Sequence, residues 1–146
     1  MKLIKLLSAI VVFTALPLNA QTTAEETVNA FFEALNTKDA TRIESLCVDN
    51  LVLNSLSVTS ESSKLNQQDL EDFLHSLKQM PETLKIKEVI TKTKSRDDDY
   101  IAQFWLEYEF YLNDKLSHEG VNSITLLKGE NGWKISAITD TRISEK

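Results

Sequence analysis

The spacing of apolar residues changes once along this chain, near Glu82, from the period of a helix to the period of a strand. Before that point apolar side chains recur three and four residues apart, which places them on one face of a helix. After it, apolar and polar residues alternate, which is typical of strands buried on one face. Because the helical part precedes a run of strands joined by short turns, the chain is predicted to be an α+β domain.

Three helices are predicted in the first part. Thr22 or Thr23 is expected to cap the first, Asp39 the second and Asn66 the third, which Pro81 ends. Their apolar faces consist of Val28, Phe31, Phe32 and Leu35, then Ala40, Ile43, Leu46 and Cys47, and finally Leu70, Phe73, Leu74 and Leu77.

Between the second and third helices the sequence predicts a strand over residues 51–53. The Ser-rich segment 55–64 that follows is interpreted as an exposed connection. Four long strands then follow, with polar turns at 96–99, 113–114 and 129–132, and are predicted to pair as an antiparallel meander covered on one face by the helices.

The first twenty residues have the pattern of a secretory signal. Lys2 and Lys5 precede the apolar run 6–16, and Ala20 is the small residue expected at a cleavage site. The run is too short for the roughly 20 residues of a membrane-spanning helix. The prediction is a signal peptide over 1–20 and a single domain over 21–146, exported to the periplasm or secreted.

Composition limits the partners of the mature domain. Removing Lys2 and Lys5 from the 16 basic residues leaves 14 against 22 acidic residues, a formal net charge of −8. This charge disfavours nucleic acid as a partner. Cys47 is the only cysteine, so no internal disulfide is possible, and it is expected to be a buried structural residue.

Two segments resemble the nuclear-transport-factor-2-like superfamily, including its polyketide-cyclase-like and lumazine-binding-like branches. They are Val28-Asn29-Ala30-Phe31-Phe32-Glu33-Ala34-Leu35, followed by Asp39, and the closing Gly132-Trp133-Lys134-Ile135. The resemblance implies a cone-shaped, curved antiparallel sheet wrapped around three N-terminal helices, as also in cystatin-like folds. It implies no single reaction, since members include isomerases, cyclases, dehydratases, hydrolases and non-catalytic domains.

The interior of such a cone is the expected ligand pocket. Alternation places one face of the strand after Tyr100 inside, with Tyr108 as its polar group, and one face of the last strand beside it. The predicted lining is Phe31, Leu35, Phe73, Leu77, Glu88, Phe104, Leu106, Tyr108, Phe110, Trp133, Ile135, Ala137 and Thr139.

No catalytic residue is assigned. Ala137 and Thr139 occupy positions where the resemblance would place functional histidines, and neither transfers a proton near neutral pH. Glu88 is the one weak candidate, with two alternatives. In the first, it points into the cone and acts as a base with a raised pKa. In the second, a bulge or the twist of the strand turns it outward beside Lys87 and Lys92.

The remaining polar residues indicate no metal site and no cofactor. His75 lies opposite the apolar face of its helix and is expected on the surface, whereas His118 is expected to be exposed or at the pocket rim. Asp97, Asp98 and Asp99 are consecutive, so their side chains diverge, and a solvated turn is predicted.

The outer face of the strand after Tyr100 carries an aromatic pair among carboxylates. This composition, and the resemblance, predict a homodimer interface formed by Gln103, Trp105, Glu107, Glu109 and Tyr111. The alternative is a monomer whose Trp105 is shielded by neighbouring long side chains.

Three function classes remain open. The favoured one is a non-catalytic exported domain that binds a small apolar or aromatic ligand in the cone, or self-associates. The second is an isomerase or hydrolase of small hydrophobic substrates that uses Glu88 and Tyr108. The third is a protein-interaction module of the cell envelope that acts through the acidic exterior and segment 55–64.

Overall fold

The computed structural model describes residues 22–144. The predicted signal peptide and its cleavage site lie outside this range. The elements in chain order are α1 Ala24–Asn36, α2 Ala40–Leu46, β1 Cys47–Val58, β2 Ser63–Asp69, α3 Leu70–Lys78, β3 Ile86–Asp97, β4 Ile101–Leu112, β5 Lys115–Gly129 and β6 Gly132–Ile143.

Side-chain caps set the start of each helix. Thr23 and Glu26 form a capping box at α1, and Asp39 caps α2 by accepting from the backbone N–H of Arg42 at 2.9 Å. The predicted cap of α3 is wrong. Asp69 caps that helix, and Asn66 lies in β2 before it. None of the helices over residues 22–144 is both long and apolar enough to cross a bilayer.

The six strands form one curved, open sheet in the order β2-β1-β6-β5-β4-β3. The predicted α+β class and the meander of the last four strands are confirmed. The sheet is mixed rather than wholly antiparallel, because β1 pairs with β6 in parallel. A parallel neighbour distant in sequence leaves no local signal, which is why the turns alone could not predict it.

The Ser-rich segment 55–64 is not a loop. Residues through Val58 continue β1, and β2 folds back against it from Ser63, with Val58 opposite Ser63 and Leu53 opposite Gln68. The turn is closed by a 2.9 Å hydrogen bond from the Thr59 N–H to the Ser62 carbonyl. The sequence does not reveal this hairpin, because β2 is mostly exposed and its polar residues resemble those of a loop.

A bulge in β6 reverses the facing of that strand. Leu126 pairs with Ile135 but Thr125 pairs with Ala137, so Ser136 is an extra residue on β6. The Ser136 hydroxyl donates to the Thr125 carbonyl at 3.1 Å. After the bulge the two faces of the strand are exchanged. Ile138 and Asp140, which regular alternation from Ile135 would place outside, point inside.

The core lies between the helices and the inner face of the sheet. Residues from α2, α3 and the four strands β1, β4, β5 and β6 become fully buried there. Each such side chain contributes about 1.5–3 kcal/mol. The largest are Ile43, Leu51, Leu77, Leu106, Ile124, Leu126 and Ile135.

Gly120 allows β6 to approach β5. A Cβ atom at this position would lie 1.8 Å from the Thr141 carbonyl oxygen, a backbone atom that cannot move aside cheaply. Next to it, the backbone N–H of Val121 donates to the Thr141 hydroxyl at 3.1 Å. A side chain at Gly120 would therefore push the two strands apart.

Candidate ligand-binding cavity

A cavity of about 490 Å³ lies between α1, α3 and the inner face of the sheet. Its walls are largely apolar, with polar groups from the sheet. The lining residues are Phe31, Phe32, Leu35, Leu53, Asn66, Gln68, Phe73, Ser76, Leu77, Met80, Leu84, Ile86, Glu88, Tyr108, Phe110, Leu112, Ser117, His118, Asn122, Ile124, Ile138, Asp140 and Arg142.

The predicted lining is divided between three places in the structure. The cavity is lined by Phe31, Leu35, Phe73, Leu77, Glu88, Tyr108 and Phe110. Phe104, Leu106 and Ile135 are buried in the core, and Trp133 packs against it, so these four do not face the cavity.

The placement of Ala137 and Thr139 in the pocket is wrong. Both are exposed, because the extra residue Ser136 turns the following part of β6 over. In their place the strand presents Ile138, Asp140 and Arg142 to the cavity.

Glu88 points inward, as the first of its two alternatives required. Its Oε1 accepts a hydrogen bond from the Asn122 amide at 2.6 Å. The Asn36 side chain fixes its backbone, accepting from the Glu88 N–H at 2.7 Å and donating to its carbonyl at 3.1 Å. The bulge of β3 falls between Ile90 and Lys92, after Glu88, and so does not turn it outward.

The environment of Glu88 favours its neutral form. Burial raises the pKa of this carboxyl to about 7; the Asn122 hydrogen bond and Arg142 oppose the shift, whereas Asp140 adds to it. The group is therefore able to exchange a proton near neutral pH.

Asp140 is the centre of a second polar cluster. It is buried, and its carboxylate accepts hydrogen bonds from the Ser55 hydroxyl, from Arg142 Nε at 2.9 Å and from the Tyr108 hydroxyl at 3.4 Å. The shorter bond of Tyr108, 2.8 Å, goes to the Thr141 carbonyl. Burial, reinforced by Asp140, raises the pKa of Tyr108 well above its usual range, so its hydroxyl remains protonated.

His118 lies at the cavity wall and is half-buried. Its ring stacks on Phe110, with ring centroids 4.8 Å apart, and makes a T-shaped contact with Tyr108, with centroids 5.9 Å apart. Burial, with the positive charge of Arg142, lowers the pKa of His118, so it is neutral at pH 7. His75 is exposed on α3, as expected.

Sequence reasoning missed Asn122, Asp140 and Arg142. A regular alternation from Trp133 placed Asp140 and Arg142 outside. The signal that could have indicated them is Ile138, a large apolar residue that favours the inner face. Asp140 and Arg142 follow it at alternate positions, so this set was as good a candidate for the inner face as Ala137 and Thr139.

Cys47 is buried, as expected, and burial raises the pKa of its thiol to about 12, so it is unreactive. Over residues 22–144, no three histidine, cysteine, aspartate or glutamate side chains are grouped to hold a metal ion.

Asp98 forms a turn, accepting at 2.8 Å from the N–H groups of both Tyr100 and Ile101.

The outer face of β4 carries Trp105, which is 52% exposed. Pairing places Lys94 and Ser123 beside it, and these side chains border a shallow groove of about 260 Å³. The groove also includes Arg96 and Gln103.

Comparison with solved structures places this fold in the nuclear-transport-factor-2-like class. One similar structure is the β subunit of a putative aromatic-ring-hydroxylating dioxygenase from Novosphingobium aromaticivorans, with a TM-score of 0.66 and 13% identity over 87% of this chain and 91% of that one. An NTF2-like protein from Cytophaga hutchinsonii has a TM-score of 0.62 and 15% identity over 82% and 94%. A nuclear transport factor 2 superfamily protein from Salmonella enterica has a TM-score of 0.61 and 13% identity over 82% and 87%.

The chain belongs to the family described as "Domain of unknown function (DUF4829)", whose profile matches residues 25–138. Comparison with curated protein sequences gives no match. The resemblance predicted from the sequence is thus confirmed at the level of the fold.

Proposed function

We propose that this domain binds a small molecule with a mainly apolar body in the cavity between its helices and its sheet. The observation that carries the proposal is the cavity itself, about 490 Å³ with aromatic and aliphatic walls and a few convergent polar groups. This volume lies within the 300–1,000 Å³ typical of small-molecule sites. Glu88, Asn122 and Asp140 would orient the polar end of the ligand.

A blocking variant tests this proposal. Ser76 lines the cavity from the exposed side of α3, so Ser76→Trp should fill part of it without disturbing the core. Lys78→Trp is the matched control, since Lys78 lies on the same helix, is exposed and does not line the cavity.

The probe is the neutral fluorophore N-phenyl-naphthylamine, titrated into each protein. We expect saturable binding to the unmodified domain and to Lys78→Trp, and at least about tenfold weaker binding to Ser76→Trp. No binding to the unmodified domain, or equal binding by both variants, would contradict the proposal.

The raised pKa of Glu88 favours one alternative, an isomerase or hydrolase that uses this carboxylate as a base. A base with a pKa of about 7 is well matched to neutral pH. Tyr108 is a weaker partner for it, because its hydroxyl is engaged with Thr141. The test is Glu88→Gln, which should abolish any turnover detected while leaving probe binding intact.

We also propose that the outer sheet face joins two copies of the chain. Lys94 lies beside Trp105 and Arg96 lies beyond it toward one end of β4, whereas the pair Glu109 and Glu119 lies toward the other end. A two-fold axis near Trp105 would place the basic half of each copy against the acidic half of its partner.

Complementary charge reversals test the dimer. The variants Lys94→Glu/Arg96→Glu and Glu109→Lys/Glu119→Lys should each sediment as monomers, because like charges then meet. Mixed in equal amounts, they should form a heterodimer visible by native mass spectrometry. A monomeric unmodified domain, or no recovery on mixing, argues against this interface.

Export remains a proposal that rests on the pattern of the first twenty residues. Expressed with its leader, the chain should be recovered from the periplasm or medium with an intact mass that begins near residue 21. Recovery only of the uncleaved chain in the cytoplasm would contradict it.

A further inference from the structure

Arg142 is the only lysine or arginine among the described residues, 22–144, that line the cavity. It lies on the inner face of β6, two residues after Asp140, and its side chain is 46% exposed. Its Nε donates to Asp140 at 2.9 Å. This is the only hydrogen bond that the Arg142 side chain makes with the described residues.

A guanidinium group has donors beyond Nε. Its two terminal nitrogens present a flat pair of N–H groups that matches the two oxygens of a carboxylate. In Arg142 the bond to Asp140 fixes the orientation of the group, and the terminal nitrogens remain able to bind a ligand at the cavity wall.

The surrounding groups permit an additional negative charge. Asp140 is already compensated by Ser55, Tyr108 and Arg142. Glu88, whose pKa burial raises to about 7, is largely protonated below neutral pH and then donates rather than repels.

Resting on the proposed binding function, we propose that the ligand is an amphipathic anion. Its apolar body would occupy the space between the helices and the sheet, and its carboxylate would bind the terminal nitrogens of Arg142. Asn66 and Gln68 on β2 also line the cavity and add neutral amide donors.

The experiment compares decanoate with 1-decanol, which share an apolar chain and differ in the charge of the head group. Each is titrated against the domain carrying N-phenyl-naphthylamine, and its affinity is read from displacement at about pH 6. We expect decanoate to bind at least about tenfold more tightly than decanol, since hydrogen bonds to charged groups are worth more than neutral ones.

Arg142→Gln should weaken decanoate about 10- to 100-fold and leave decanol within about threefold. Arg142→Lys keeps the charge without the flat pair of donors and should be intermediate. Lys115→Gln is the matched control, because it removes the same charge from an exposed position outside the cavity lining, and it should leave both affinities unchanged.

The outcomes separate the two proposals. Equal affinities for decanoate and decanol in the unmodified domain would overturn the anionic ligand while the binding function stands. Failure of decanoate, decanol and the fluorophore alike to bind would overturn both. The comparison in the unmodified domain decides the matter even where Arg142→Gln does not fold.

Discussion

Replacing Glu88 by glutamine should make this domain more stable at alkaline pH and leave it nearly unchanged at acidic pH. The folded carboxyl has a pKa of about 7, against 4.5 for an unperturbed glutamate. In the window between these values the unfolded chain releases its proton first, so unfolding becomes more favourable as pH rises. Stability is therefore full below about pH 4.5 and is lost as pH rises through 7.

The magnitude follows from the difference between the two pKa values. At 1.36 kcal/mol per unit, the loss approaches about 3 kcal/mol above pH 7. Glutamine cannot ionise and keeps the oxygen that accepts from Asn122, so Glu88→Gln should recover this amount at about pH 8 and less than about 1 kcal/mol at about pH 5. In a domain of this size that corresponds to a Tm increase of roughly 10 °C.

The assay is urea unfolding of both proteins at several pH values between 5 and 8, with the difference in free energy plotted against pH. Glu130→Gln removes an exposed turn carboxylate and is the control, for which the difference should be flat. A difference for Glu88→Gln that stays within about 0.5 kcal/mol across the range, or that grows toward acid, would refute the argument that burial controls this carboxyl.

Three further predictions concern the fold. Gly120→Ala places a methyl group against the Thr141 carbonyl and should cost at least about 3 kcal/mol in chemical denaturation; a loss under about 1 kcal/mol would show that the strands separate easily. Asp69→Ala removes the cap of α3 and should cost about 1 kcal/mol, whereas Asn66→Ala should leave helix stability unchanged, and the reverse order would restore the original cap assignment. Asn36→Ala frees the backbone of Glu88 and should speed amide hydrogen exchange at Glu88 by at least about tenfold, so unchanged exchange would show that Asn36 does not hold this strand.

The fold was largely predictable because its main signals are local. The capping residues Thr23 and Asp39, the apolar face of α1 and the alternation along β4 each appear within a few neighbouring positions. The hairpin of β1 and β2 was missed because the exposed, polar β2 has no apolar alternation, and Ser and Asn are typical of loops.

The site was less predictable because it depends on the relation between strands. Glu88 meets Asn122, a residue 34 positions away, and Ser55 meets Asp140 across 85 positions. The inner face of β6 changes at Ser136, where the local sequence is compatible with either set of alternate residues facing inward. Residues on regular parts of the sheet, such as Tyr108 and Phe110, were therefore placed in the cavity, whereas those beyond the bulge were not.

Ser136, the one unpaired residue of β6, reverses which of the following side chains face the cavity. If β6 paired regularly through Ser136, plain alternation from Ile135 would place Thr139 and Thr141 in the cavity and Asp140 and Arg142 outside it. Deleting Ser136 should instead remove the bulge and keep Asp140 and Arg142 inside. The charges of the cavity thus depend on whether one residue of the strand is left unpaired as much as on which amino acids the strand contains. Among related chains with the same flanking residues, a strand that pairs regularly through this position would have a neutral cavity wall, whereas one that bulges here or lacks the residue would keep the charged wall.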